Sequence, residues 1–315
     1  MRIAVIDMGT NTFNLVVAEI HQNTFQILYS TKEPVKLGQK LKDQHVLSHH
    51  QIEKILEVLQ KYLSIAQKFS VDKILALATS SIRTAQNKEE IKKNVREKLN
   101  LDIQIIDGER EAELIYLANH FAVQSCINSV NDRNFLIMDI GGGSTEFILS
   151  DKNRSLWKQS FLLGMARLID ELKPQDPIHP TDILTLKNYL EKHLHPLNAA
   201  LKQYPTKTLV GSSGVFDSIV EMIEANIHPL PKNDQCCVIS KNDFYTIFQK
   251  ILPLPYSERL KFPGLIEMRA DMVTMSLLLI DFVFTNFNLE NFIVSFYSLK
   301  EGVLIEEMKK VSSIH

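Results

Sequence analysis

Two stretches of this chain follow one pattern. AVIDMGTNTFNLVVAEI starts at Ala4 and FLIMDIGGGSTEFILSD starts at Phe135. In each, an apolar strand ends in an aspartate, Asp7 or Asp139. A glycine-containing turn bearing hydroxyls follows, and a second apolar strand leaves at once. Glycine lets a backbone turn tightly and come close to a ligand. Consecutive N–H groups in such a turn form a concavity that binds anions. A single turn of this kind reads as an ordinary hairpin, but two matched copies predict two similar lobes whose loops close on one ligand from opposite sides.

The rest of the chain fits that plan. Its 315 residues suffice for two domains of ordinary size. Hydrophobic residues make up 45% and charged residues 23%, a globular balance. Residues 3–8 and 13–20 predict the first hairpin, continued by strand-like residues 24–31. Ser48 predicts the cap of a helix carrying Ile52, Ile55, Leu56, Leu59 and Leu63 at helical spacing. Residues 71–78 and 101–106 read as strands, and a helix starts near Asp107. After the second hairpin, Thr181 is expected to cap one long helix to about Tyr204. The TLVGSSG strand follows, then mostly helices, the strand-like NFIVSFYSL and a closing helix over 302–311. Strands alternating with helices in both halves predict an α/β fold. The polar stretch 131–133 predicts the boundary, giving domains over 1–128 and 129–299.

Composition narrows function. A formal net charge of −2 does not advertise nucleic-acid binding. No signal peptide opens the chain, and the apolar run 272–287 is too short to span a bilayer. The expectation is therefore a cytoplasmic protein with no membrane partner. Cys126, Cys236 and Cys237 lack zinc spacing and read as reduced thiols.

The chemistry concentrates in the turns. Gly9, Thr10, Asn11 and Thr12 in the first copy, and Gly141, Gly142, Gly143, Ser144 and Thr145 in the second, form candidate phosphate cradles. An aspartate at each strand end would repel a bare phosphate. It makes sense if a divalent cation such as Mg²⁺ bridges carboxylate and phosphate. Asp7, Asp139 and Glu146 are the candidate ligands. The second turn is no Walker loop, because no Lys follows its glycines. Glu111 shares a helix face with Leu114 and Ile115, which suits a general base. A first-turn glutamate complementing the helix dipole explains it equally well. Arg83, at a strand end in ATSSIR, is the leading candidate among the basic residues. Lys36 in VKLG, Arg167, Arg269 and Lys300 also lie beside turns. Gly211 and Ser212 belong to a third glycine turn that could bind an anion or a nucleotide.

DMGTNTFNLVVAEI, VKLGQKL, LATSSIRTAQN, IIDGEREAELIYLA, DIGGGSTEFIL, FLLGMARL, GSSG, RAD and VSFYSLKEGVL occur in this order across essentially the whole chain. On these stretches the chain resembles the exopolyphosphatase and guanosine pentaphosphate phosphohydrolase family, within the actin/Hsp70/sugar-kinase superfamily. The resemblance implies two ribonuclease-H-like domains with the active site in the cleft between them, and a segment of about 300–315 returning to the first domain. It implies Mg²⁺-dependent removal of a terminal phosphate from inorganic polyphosphate or from guanosine pentaphosphate, by a homodimer in the short form without a C-terminal helical domain. Glu111 takes the place of the catalytic glutamate and Arg83 that of the family's arginine. Asp139 and Glu146 take the metal carboxylates, with Asp7 nearby. Lys36 and Lys300 stand where arginine is usual, keeping charge but losing the bidentate fork. An ATPase or kinase of the same superfamily, and a non-catalytic polyphosphate sensor, are the rival readings.

Overall fold

The computed structural model describes residues 1–37, 46–128, 130 and 132–312. The chain divides into two units, Met1–Ala118 with Leu299–His315, and Asn119–Ser298. The division falls inside the helix Gly108–Ala122. The polar stretch read as the boundary begins at Asn131, outside the described residues.

The first unit is built on β1 (Arg2–Met8), β2 (Thr12–Ile20), β3 (Phe25–Pro34), β4 (Lys73–Ala78) and β5 (Ile103–Ile105). Their order is β3-β2-β1-β4-β5. β1 pairs antiparallel with β2 but parallel with β4. A central strand covered on both faces must be apolar throughout, and Ile3, Ala4, Val5 and Ile6 are all fully buried. Ala4, Ile6 and Met8 join Phe13, Leu15, Ile55, Leu59 and Tyr62 in one core, on the side of the helix His49–Lys68. Ser48 caps that helix in a reciprocal capping box with Gln51. The returning helix Leu299–Ser312 lies against β1 and β2. Gly302 permits this approach, since a Cβ there would meet the Leu114 carbonyl oxygen at 2.0 Å.

The second unit comprises β6 (Asn134–Ile140), β7 (Thr145–Asp151), β8 (Ser155–Phe161), β9 (Thr208–Ser212), β10 (Cys236–Ile239) and β11 (Asn291–Ser295). Their order is β10-β11-β9-β6-β7-β8. Read from β8 inward, this repeats the first sheet, with β11 in the place of β5 and β10 added antiparallel at the edge. Each unit is thus a ribonuclease-H-like α/β domain, as the repeated hairpin implied.

Three local expectations need correction. The single helix expected from Thr181 to about Tyr204 is two helices, Pro180–His193 and His195–Gln203, and His179 rather than Thr181 supplies the first cap. Pro196 has no N–H to continue the first helix, and its ring clashes with the preceding turn. β10 breaks the stretch read as helical. Cys126 and Cys236 form a disulfide, whereas all three cysteines were read as reduced thiols. Spacing arguments could not find this pair because 110 residues separate them; the fold sets the helix Gln124–Ile127 against β10. Cys237 is the buried free thiol, and burial pushes it up to about 12. Among the described residues, no helix is long and apolar enough to cross a membrane.

Candidate functional site

Both hairpin turns close in the same way. The Gly9 N–H donates to the Thr12 carbonyl at 3.1 Å, and the Gly141 N–H donates to the Ser144 carbonyl at 3.0 Å. A Cβ on either glycine would press on that same carbonyl oxygen, at 2.8 Å and 3.0 Å. Both turns lie at the C-terminal end of a central parallel strand, where ligands gather in α/β sheets. Among the described residues, the N–H groups of Gly142 and Gly143 and the hydroxyls of Thr10 and Ser144 make no hydrogen bond. They remain available to an anion. Thr145 is committed instead, donating to the Leu163 carbonyl at 2.9 Å.

Sheet register assembles the second unit's carboxylates. Asp139 pairs with Ser212 on β9 and with Glu146 on β7, and Glu146 pairs with Ser160 on β8. Directly paired residues in adjacent strands lie on one face of the sheet, so Ser212, Asp139, Glu146 and Ser160 form one polar row across four strands. Ser212 donates to Asp139 Oδ2 at 2.7 Å, and Ser160 donates to Glu146 Oε1 at 2.6 Å. Asp139 is 7% exposed and Glu146 1%. Two neighbouring carboxylates withdrawn from water repel each other and require a compensating cation. This all-oxygen donor set suits a hard divalent ion. Among the described residues, no group of three or more His, Cys, Asp or Glu side chains is placed to hold a metal. That is compatible with Mg²⁺, which commonly takes one or two carboxylates and fills its sphere with water and substrate phosphate oxygens.

The first unit carries a single carboxylate in the corresponding place. Asn14 stands opposite Asp7, as Glu146 stands opposite Asp139. Asn14 donates to Asp7 Oδ2 at 3.0 Å. Burial pushes Asp7 up to about 6, with Glu301 adding to the rise and Lys300 and the Asn14 hydrogen bond opposing it. The folded state therefore holds this proton more tightly than the unfolded chain. Stability falls as pH rises from about 4 through about 6 and stays lower above. Asp7→Asn, measured with a chelator present, is expected to raise the thermal midpoint at pH 8, by at most about 3 kcal/mol. The gain should vanish near pH 4; an equal gain at both pH values would refute the buried-charge account.

Glu111 and Arg83 form a pair in the same unit. Asp107 caps the helix Gly108–Ala122, its Oδ1 accepting from the Arg110 N–H at 2.8 Å. This sets Glu111, 7% exposed, in the first turn on the inward face. Arg83 Nη1 donates to Glu111 Oε2 at 2.6 Å and to the Ile106 carbonyl at 3.1 Å. Its Nε and Nη2 have no hydrogen-bond partner among the described residues, leaving one edge of the guanidinium for a ligand oxygen.

The other candidates fall variously. Lys36 is exposed and held at the first turn, its N–H 3.1 Å from the Asn11 carbonyl. Gly211 has a packing role, since a Cβ there would strike the Phe216 ring at 2.1 Å. Gly214 makes room for the Arg269 guanidinium, which donates to Ser218 Oγ at 2.7 Å. Sequence reasoning missed Ser160 and Asn14. The hairpin register, extended to the third strand, was the signal for both.

Known proteins share this arrangement along its length. Residues 16–311 match the Ppx/GppA phosphatase family. The crystal structure of an exopolyphosphatase from Cytophaga hutchinsonii superposes with a TM-score of 0.91 at 36% identity, covering 98% of each chain. The Aquifex aeolicus member of the Ppx/GppA family superposes at 0.80 with 27% identity, again over 98% of each chain. Similarity that runs through both repeated units and the returning C-terminal helix places this chain in the Ppx/GppA phosphatase family.

Proposed function

We propose that this phosphatase hydrolyses the terminal phosphoanhydride bond of inorganic polyphosphate, with Mg²⁺, and that Glu111 is its general base. The observation that carries this reading is the buried Asp139–Glu146 pair beside a glycine turn with open N–H groups. Water attacks the terminal phosphorus while its proton passes to Glu111. The bridging P–O bond breaks, and the shortened chain leaves with the bridging oxygen. Arg83 compensates the Glu111 charge through Nη1 and offers its free edge to a phosphoryl oxygen. The turn N–H groups and Ser144 hold the equatorial oxygens. Asp139 and Glu146, with Asp7 as the third proposed ligand, would hold Mg²⁺, which neutralises developing phosphate charge when bound. Positioning and charge compensation of this kind are most of what phosphoryl transfer asks of a protein.

The test is phosphate release from polyphosphate, guanosine pentaphosphate and ATP measured side by side with Mg²⁺. Polyphosphate is expected to give the largest kcat/KM. A preference for guanosine pentaphosphate would reassign the substrate within the family, and a preference for ATP would favour the kinase-like reading.

A further inference from the structure

The internal repeat extends past the two hairpins. In the first unit the chain leaving β3 folds back over the turn. The Asn11 carbonyl accepts from two consecutive N–H groups, Val35 at 2.9 Å and Lys36 at 3.1 Å. In the second unit the chain leaving β8 does the same. The Gly142 carbonyl accepts from Ala166 at 2.9 Å and Arg167 at 3.3 Å. In each case the second donor belongs to a basic residue, so Arg167 occupies in the second unit the position of Lys36 in the first.

Both positions carry a cost that packing does not explain. Lys36 has φ of 48°, a left-handed conformation that non-glycine residues rarely adopt. Arg167 is only 7% exposed and lies in the first turn of the helix Met165–Leu172, where the helix dipole disfavours a cation. Gly164, just before that helix, leaves no room for a Cβ. One would lie 2.4 Å from backbone atoms of Gly142 and Gly143, so helix and turn are pressed together. A phosphate on the turn would offset both the burial of the guanidinium and its place at the helix start.

We infer that Arg167 is the second unit's phosphate-contacting cation, the counterpart of Lys36, and binds the phosphoryl group held by the turn at 141–144. The inference rests on the polyphosphate reading for the identity of the anion. Its test is equilibrium binding of polyphosphate, by calorimetry with Mg²⁺, to chains already carrying Glu111→Gln so that substrate survives. Adding Arg167→Gln is expected to weaken binding about 10- to 100-fold, as loss of a charge-assisted contact does. The thermal midpoint without ligand should be nearly unchanged. Arg167→Lys should recover part of the affinity, since it keeps the charge and loses the fork. Undiminished binding by the Gln variant would overturn the inference and leave the function standing. Loss of the fold in both variants would make Arg167 a structural cation and overturn it too. If the parent Glu111→Gln chain binds no polyphosphate, the functional reading fails and takes the inference with it.

Discussion

Glu111→Gln is expected to lower turnover of polyphosphate by about 10²- to 10⁴-fold, the usual contribution of a positioned general base. Binding should stay within severalfold of the parent. The substitution keeps the side chain's shape and the capped helix beneath it, but removes the group that accepts water's proton. It also breaks the ion pair with Arg83, whose side chain is only 18% exposed. A modest drop in thermal midpoint should follow, because Arg83 keeps its bond to the Ile106 carbonyl. Phosphate-release kinetics give kcat and calorimetry gives affinity. Turnover within tenfold of the parent would remove Glu111 from the proton transfer and leave it as a dipole-complementing residue.

The second large effect is expected at Gly164→Ala, a residue with no chemistry of its own. The added Cβ would lie 2.4 Å from the carbonyl carbons of Gly142 and Gly143 and from the Gly143 nitrogen. All three are backbone atoms, so no rotamer change relieves the clash. The turn or the helix must move by about 1 Å to restore ordinary contact. That movement breaks the bonds from Ala166 and Arg167 to the Gly142 carbonyl. Overpacking of this kind costs about 1–3 kcal/mol of stability. A displacement of about 1 Å in a positioning element costs about 10²-fold in rate. Gly214→Ala is the contrasting case, because its Cβ meets the mobile end of Arg269. Urea titration and kcat measured on both variants separate the two. Equal activity in Gly164→Ala and the parent would show that the second turn does not position substrate.

Much of this fold is legible in sequence because its strongest signals are local. The Asp7 and Asp139 strands, their glycine turns and the Ser48 cap each depend on a few neighbouring residues. The same local logic failed where distant segments decide the outcome. β10 is a four-residue edge strand, too short to announce itself by alternation, and it exists through its pairing with β11. The break between the helices at 180–193 and 195–203 was legible in Pro196, but capping was placed at Thr181 because a threonine is a commoner cap than a histidine. Gly211 looked like a ligand-binding glycine, yet Phe216, five residues on, fills the space it leaves.

The sequence alone determined the repeat, the α/β class, the aspartate at each strand end and the hydroxyl-bearing turns, since strand period and turn chemistry are written in adjacent residues. Only the tertiary structure decided which side chains meet. Sheet register lines Ser212, Asp139, Glu146 and Ser160 into one row across four strands. Packing of a five-residue helix against a longer one brings Arg83 onto Glu111. The fold likewise closes the disulfide between Cys126 and Cys236. Each of these contacts spans a long stretch of chain. No local preference encodes them, because their partners become neighbours only when buried apolar faces fix the sheets and the helices against them.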